Sequence, residues 1–354
     1  MQAFVIETLS AWPTSAILLV IAAALAVLSK GADLLVDNAV ILSLRSGIPK
    51  VVIGATVVSL GTTLPEAAVS IFAAIQGNPD LALGNAVGSI ICNTALIIGA
   101  SALIRPLPVH RDVTDRQGWI QFGVAVLLVV AALVSLLGGA RAGAGAGGWV
   151  GRIPQWVGLV FIAMLVTYLV MSIRQSRSQR GAAVSLEPPL EPPLEEGQEV
   201  EHPGVIVPIL LLALGVGLVV FASRVLIPAV EIVAGRAGIP QSIIAATLVA
   251  LGTSLPELTT AITASRKGHG ELAVGNVIGA NILNVLFVVG ASAAVTAGGL
   301  AVPTIFFALQ FPAMLVMTFV FRGVTLRKAS LVTRTWGVAL LVLYVVYIAA
   351  SYAL

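Results

Sequence analysis

The sequence predicts an all-α polytopic membrane protein, with ten transmembrane helices arranged as two inverted five-helix repeats. Three observations predict it. Of the 354 residues, 58% are hydrophobic and 10% are charged, and the mean hydropathy is +1.04. Soluble domains carry about 25% charged residues, so this chain lacks the polar surface to face water on all sides. Ten apolar runs reach the roughly 17–25 residues that cross a bilayer as a helix. A stretch of 48 residues recurs without a gap 191 positions later.

The runs fall at about 13–44, 48–76, 81–104, 118–138, 149–173, 204–234, 239–265, 271–295, 302–321 and 332–353. The first and sixth exceed the bilayer thickness and are expected to tilt. The second, third, seventh and eighth are interrupted by Gly, Pro, Ser, Thr or Asn. None alternates apolar and polar residues, which argues against a barrel. The start, "MQAFVIETLSAWP", has neither a basic leader nor a cleavage site, so the first run is expected to remain as a span. Cys92 is the single cysteine, so no internal disulfide can form.

The segment "RQSRSQRGAAVSLEPPLEPPLEEGQEVEHPG" is basic, then rich in Pro and Glu. It reads as a solvated, disordered linker. It lacks the alternating Asp/Asn ligands and the Gly of an EF-hand loop. "GGARAGAGAGG" at 138–148 reads as a flexible loop, since it lacks the Gly-Lys-Ser/Thr ending of a phosphate-binding loop. The expected layout is an N-terminal five-helix repeat at 1–173, a linker at 174–203 and a C-terminal repeat at 204–354. With the N-terminus outside, inner loops hold fourteen Lys and Arg, and outer loops hold three, Arg141, Arg152 and Arg236. That bias predicts N-out and C-out topology with a cytoplasmic linker, in the plasma (inner) membrane. The net charge of +3 identifies no partner. The lipid bilayer is expected as one, nucleic acid is not, and protein partners are not readable.

Residues 54–101 and 245–292 share 22 identities in 48 positions, and "RSGIP" at 45–49 mirrors "RAGIP" at 236–240. Composition alone does not match Thr, Pro, Glu and Asn, so the duplication is real. The copies start five spans apart. An odd offset reverses the direction of crossing, which makes the halves inverted repeats related by an axis in the membrane plane. Secondary transporters are built this way, with sites near midplane on broken helices.

Glu66 and Glu257 are the acids nearest the span centres. An unpaired carboxylate there is costly, which marks it as functional. Apart from Lys50 at the edge of the second, no Lys or Arg lies inside the second, third, seventh or eighth span to neutralise them. Asp33, Asp37 and Glu231 sit nearer span ends or beside Lys30 and Arg224, and are read as structural or gating. Ser59, Thr62, Thr63 and Glu66 are spaced three and four apart on one helix face. Thr253, Ser254 and Glu257 repeat the pattern, with Ala250 in place of Ser59. Pro65 and Pro256 cannot donate to the carbonyls of Gly61 and Gly252, so an unwound turn is expected at each. In the next span, Asn85, Ser89 and Asn93 form a polar stripe matched by Asn276 and Asn284. Gly84, Gly88, Gly275 and Gly279 provide small faces for close packing. Asn85 and Asn276 serve either interhelical hydrogen bonds or ion contact. Asn93 and Asn284, deeper in, are assigned to the ion.

Carboxylates, carbonyls, hydroxyls and amides make an all-oxygen site, which suits Ca²⁺, whereas zinc and copper prefer His or Cys. Two ionised glutamates neutralise one Ca²⁺. Empty, they would face each other in low dielectric, so Na⁺ or protons must replace the calcium before the protein changes face. That is the logic of an antiporter.

"GTTLPE" at 61–66 and "GTSLPE" at 252–257, each followed by a "GN..G" helix, resemble the α-repeats of the sodium/calcium exchanger family of the calcium/cation antiporter superfamily. The resemblance covers both repeats and the central loop. It implies Ca²⁺ and Na⁺ as transported ions, with no cofactor and no enzymatic activity. It implies main-chain carbonyl ligands at Ser59 and Ala250, and ligands at Thr62, Thr63, Glu66, Ser89, Asn93, Thr253, Ser254 and Glu257. Some prokaryotic members have a serine where this chain has Ala280, and an aspartate where it has Asn284. Ala280 removes a hydroxyl from the sodium sites, and Asn284 leaves two carboxylates. The expectation is therefore a Na⁺/Ca²⁺ antiporter working by alternating access. A Ca²⁺/H⁺ exchanger is the first alternative, and a cation channel or an intramembrane hydrolase the more distant ones.

Overall fold

The computed structural model describes residues 2–109, 111–137, 151–183, 205–238, 252–326 and 331–353. In chain order the elements are α1 (Gln2–Ser10), α2 (Thr14–Ser46), α3 (Lys50–Ile75), α4 (Pro79–Ile104), β1 (Leu107–Pro108), α5 (Arg111–Leu137), β2 (Gly151–Ile153) and α6 (Gln155–Ala183). They continue with α7 (Ile206–Arg236), α8 (Leu255–Arg266), α9 (Gly270–Val295), β3 (Leu300–Val302), α10 (Phe306–Thr325), β4 (Leu331–Val332) and α11 (Arg334–Ala353). This is a helical membrane protein. Among the described residues, nine helices are long and apolar enough to cross a bilayer. Of the seventh expected span only α8 is described, because residues 239–251, Ala250 among them, lie outside the described residues.

Local chemistry sets the helix ends. Gly47 takes a left-handed conformation (φ 65°) at the end of α2, where a Cβ would be strained. Gly77 (φ 73°) closes α3, and the Asn78 side chain accepts from the Leu81 N–H at 3.1 Å to cap α4, with Pro79 at its first position. The same turn recurs 191 residues on, with Gly268 (φ 80°) ahead of α9. Pro154 and Pro303 delay their helices, so α6 starts at Gln155 and α10 at Phe306, later than hydropathy alone places them. At its other end α6 runs to Ala183, past residue 174 where the linker is expected to begin. Residues 138–150 and 184–204, covering the glycine-rich loop and most of the linker, lie outside the described residues.

The two longest helices, α2 and α7, pack against each other. At 33 and 31 residues they are about 45–50 Å long, more than a bilayer core of about 30 Å requires. They cross at Gly31 and Gly215: a Cβ on Gly215 would stand 2.7 Å from the Leu35 nitrogen and 2.9 Å from the Gly31 carbonyl. Ala24, Leu28, Ala32, Val219, Ala222 and Leu226 form their own apolar cluster, distinct from the main core. That core is built on α3, α4, α8 and α9, joined by Leu35, Val36, Ala39 and Leu42 of α2 and enclosed by α5, α6, α10 and α11.

Packing repeats itself between the halves. Gly158 of α6 presses on Gly290 of α9, and Gly337 of α11 presses on Gly99 of α4. Gly99 and Gly290 are repeat equivalents. Two short antiparallel ribbons, unforeseen in the sequence, follow the same rule. β1 after α4 pairs with β4 before α11 (Leu107 opposite Val332), and β3 after α9 pairs with β2 before α6 (Arg152 opposite Ala301).

The ribbons and loop contacts define two faces. On one, Arg236 donates to Thr14 Oγ1 at 3.0 Å and to the Ser10 carbonyl at 2.8 Å, and Arg152 donates to the Gly298 carbonyl at 2.9 Å. On the other, Lys50 Nζ lies 3.3 Å from His269 Nδ1, and Lys267 Nζ bridges Asp33 at 3.0 Å and Asp37 at 2.8 Å. Asp33 and Asp37 are thus paired with Lys267, 230 residues from Asp37. These are called the Arg236 face and the Lys267 face below.

Candidate cation site at the centre of four helices

Glu66 and Glu257 are fully buried and face each other at the centre of the core. Glu257 Oε1 accepts from Thr63 Oγ1 at 3.4 Å. The other three carboxyl oxygens, Glu66 Oε1, Glu66 Oε2 and Glu257 Oε2, have no hydrogen-bond partner. Asn93 and Asn284 are also fully buried, and neither amide oxygen nor amide nitrogen of either is partnered. A buried polar atom left unpaired costs about 1–3 kcal/mol. A protein core does not accumulate such atoms on four facing helices unless something else satisfies them. The donors are oxygen-rich and contain two carboxylates, which is the chemistry of a hard cation.

The helices that carry these groups are irregular there. α3 contains a π-helical turn at Gly54–Val58, α4 one at Cys92–Ile97 and α9 one at Asn284–Val289. Such bulges recur at functional sites because they redirect side chains and carbonyls. The turn bearing Asn284 packs on α3 and α4, and the turn bearing Asn93 packs on α8 and α9. The expected unwinding at the prolines occurs in one copy only. Thr253 and Ser254 form a turn ahead of Pro256, which sits at the start of α8. α3, by contrast, stays helical through Pro65, and its irregularity lies earlier, at Gly54–Val58. Close packing explains the difference in place. A Cβ on Gly279 would contact the Ala55 carbonyl and lie 2.5 Å from Ser59 Oγ, so α9 presses on α3 at the bulge.

A ring of hydroxyls and amides surrounds the acids, and its members pair by repeat equivalence. Thr62 donates to Asn276 Oδ1 at 3.5 Å, and the equivalent Thr253 donates to Asn85 Oδ1 at 3.0 Å. Asn85 Nδ2 in turn donates to the Glu66 carbonyl at 3.1 Å and to Ser70 Oγ at 2.9 Å. Asn85 is therefore an interhelical connector, which settles for this residue the choice the sequence left open. Ser254 donates to Ser89 Oγ at 3.2 Å. The equivalent contact would join Thr63 to position 280, where Ala280 has no hydroxyl, and Thr63 turns to Glu257 instead. The Ser59 carbonyl accepts from Thr62 Oγ1 at 3.3 Å. The structure thus buries Ser59, Thr62, Thr63, Glu66, Ser89, Asn93, Ser254, Glu257 and Asn284 among α3, α4, α8 and α9 and the turn ahead of α8, with Thr253 of that turn half-buried.

Two features escaped the sequence. The Tyr168 hydroxyl of α6 donates to Gln117 Oε1 at 2.8 Å and lies 3.2 Å from the Ala55 carbonyl, against the α3 bulge from outside; Tyr347 of α11 donates to Gln310 Oε1 at 2.6 Å in the other half. A tyrosine late in the last span of each half was the available signal. The second feature is a cavity of about 620 Å³ on the Arg236 face, lined by Pro65, Gly252, Thr253 and Pro256 from both motifs and by Arg224 and Glu231 of α7. Thr253 in its wall is one hydrogen bond from Asn85.

Residues 16–174 and 207–353 match the protein family described as sodium/calcium exchanger protein. This chain belongs to the sodium/calcium exchanger family. Among similar proteins, the inner membrane protein YrbG of Escherichia coli (strain K12) is 35% identical over 287 residues, covering 80% of this chain and 81% of YrbG. The sodium/calcium exchanger MaX1 of Methanosarcina acetivorans is 29% identical over 293 residues, covering 79% of this chain and 83% of MaX1. The sodium-calcium exchanger NCX_Mj, in a structure soaked with 10 mM Na⁺ and zero Ca²⁺, superposes with a TM-score of 0.74 at 25% identity, over 95% of this chain and 99% of that one. As a member of an exchanger family the protein is a cation antiporter and not an enzyme.

Proposed function

We propose that this exchanger moves Ca²⁺ in one direction and Na⁺ in the other by alternating access, with both ions using the oxygens between Glu66 and Glu257. The observation that carries the proposal is the pair of buried, facing carboxyl groups with three of four oxygens unpartnered. One Ca²⁺ neutralises both acids, and Thr62, Thr63, Ser89, Asn93, Thr253, Ser254 and Asn284 supply further oxygens toward the six to eight that calcium takes. Ser59 contributes its carbonyl, and Ala250 is assigned the equivalent part in the second repeat. Sodium, similar in size and oxygen preference, occupies the same groups on the return. The ten spans form two inverted halves, 1–173 and 204–354, joined by a cytoplasmic linker. The Lys267 face is cytoplasmic and the Arg236 face is outside the plasma membrane, in line with the bias of Lys and Arg.

The test is calcium flux into proteoliposomes. An imposed sodium gradient is expected to drive saturable uptake that a pH gradient of the same size does not. Uptake driven by the pH gradient alone would assign protons to the glutamates, and unitary currents would assign a channel.

Ala280 makes the two halves of the site unequal. Ala280→Ser restores the hydroxyl that Ser89 offers in the other repeat and gives Thr63 a partner besides Glu257. The apparent sodium affinity is expected to change more than the calcium affinity. Sodium titrations of calcium uptake that superpose on the parent protein would remove position 280 from the sodium sites.

A further inference from the structure

Lys267 stands outside the ion site, yet repeat equivalence gives it a place in the transport cycle. The cavity on the Arg236 face is walled by Gln76 and Phe72 of α3 and by Arg224 and Pro228 of α7. Moved by the repeat offset of 191, these positions become Lys267, Thr263, Asp33 and Asp37. A second passage, related to the first by the duplication, would therefore run between α2 and α8 on the Lys267 face. At that place Lys267 Nζ is held between Asp33 at 3.0 Å and Asp37 at 2.8 Å. The geometry points to the Asp33–Lys267–Asp37 bridge as the latch that keeps the passage on the Lys267 face shut while the opposite passage stands open.

Three features separate a latch from ordinary scaffolding. Asp33 and Asp37 are i, i+4 neighbours on one face of α2, where two like charges repel unless a cation joins them. The bridge ties α2, whose Ala24, Leu28 and Ala32 pack with α7 in a cluster outside the main core while Leu35, Val36, Ala39 and Leu42 join that core, to the end of the helix that carries Glu257. The open side offers no counterpart: the positions opposite the neutral Gln76 are Arg224 and Pro228, so no acid-base pair can form there in the same register. The three side chains are partly exposed, at 29%, 39% and 55% for Lys267, Asp33 and Asp37. Such a network biases an equilibrium by a modest factor and does not lock it, which suits a gate that must open in every cycle.

This inference rests on the two-passage reading of the proposed function, and its test uses no transported ion. Single cysteines at Thr263 and at Phe72, in a Cys92→Ala background, report access to the two passages by their rates of thiol modification in sodium- and calcium-free buffer. Lys267→Gln, which copies the residue at the open side, is expected to raise the rate at position 263 by about three- to tenfold and to lower the rate at 72. Asp33→Asn with Asp37→Asn is expected to do the same by removing the other partner. Lys267→Asp combined with Asp37→Lys should return both rates toward the parental values. A rise at 263 with no fall at 72 would mean loosened packing and would overturn the latch, as would unchanged rates at both. Reciprocal changes in a protein that shows no sodium-driven calcium uptake would keep the latch and discard the ion assignment.

Discussion

Replacing either Glu66 or Glu257 with glutamine is expected to abolish calcium uptake while leaving the protein assembled. Each carboxylate contributes one of the two charges that balance a divalent ion in a low-dielectric site. For unit charges 4 Å apart at an effective dielectric of about 20, the interaction is on the order of 4 kcal/mol, and about twice that when one partner is divalent. Losing it weakens binding at least about a thousandfold. Folding should not suffer. Glutamine keeps the shape, and Glu66 Oε1, Glu66 Oε2 and Glu257 Oε2 have no protein hydrogen bond to lose. In ion-free buffer the substitution even removes the repulsion between two facing acids. Calcium uptake by reconstituted protein, measured beside the melting temperature with and without calcium, separates the two effects. The expected pattern is no uptake, a melting temperature in ion-free buffer at or above that of the parent, and no stabilisation by calcium. Parental uptake in either variant would remove that glutamate from the site.

The second large effect is expected at Gly275, and it concerns assembly. A Cβ there would run into the Val51 carbonyl oxygen and lie 2.8 Å from both the carbonyl carbon and Cα of Val51. The obstacle is backbone, so no side chain can swing away. Overpacking typically costs about 1–3 kcal/mol and occasionally more, and a rigid obstacle places Gly275→Ala at the upper end. Gly275→Val should leave little folded protein in a detergent extract. Gly217→Ala is the control: a Cβ at Gly217 meets no described atom within 4 Å, so this change should be neutral or slightly stabilising. Equal yields and melting temperatures for Gly275→Ala and Gly217→Ala would show that α3 and α9 do not pack through bare backbone.

These two sites mark what could be read from the chain and what could not. The buried glutamates were legible because a charge is rare in apolar sequence, and because the duplication presents it twice with the same Thr, Pro and Asn neighbours. The contacts from Thr62 to Asn276 and from Thr253 to Asn85 have the symmetry that duplication implies. The π-helical turns were not legible. They arise where α9 presses on α3 and where α4 and α9 meet neighbouring helices, and no local periodicity records that pressure. The proline rule alone put the irregularity of α3 at Gly61, whereas packing put it at Gly54–Val58. Asp33 and Asp37 were recognised as anomalous, but their partner was not legible, since spacing along one chain shows only near neighbours and Lys267 arrives only through folding.

The order of residues by itself determined that the chain lives in lipid and that it carries a duplicated segment with matched acids and hydroxyls. Each of those follows from transfer free energy or from repetition, and both are properties of residues taken in sequence. Only the tertiary structure decided which long-range partners meet: Lys267 with two aspartates, Tyr168 with the Ala55 carbonyl, and Thr63 with Glu257 in place of a missing serine. Contacts of that kind depend on the relative placement of whole helices. That placement is set by backbone approach at a few glycines and by long-range pairing of buried polar groups.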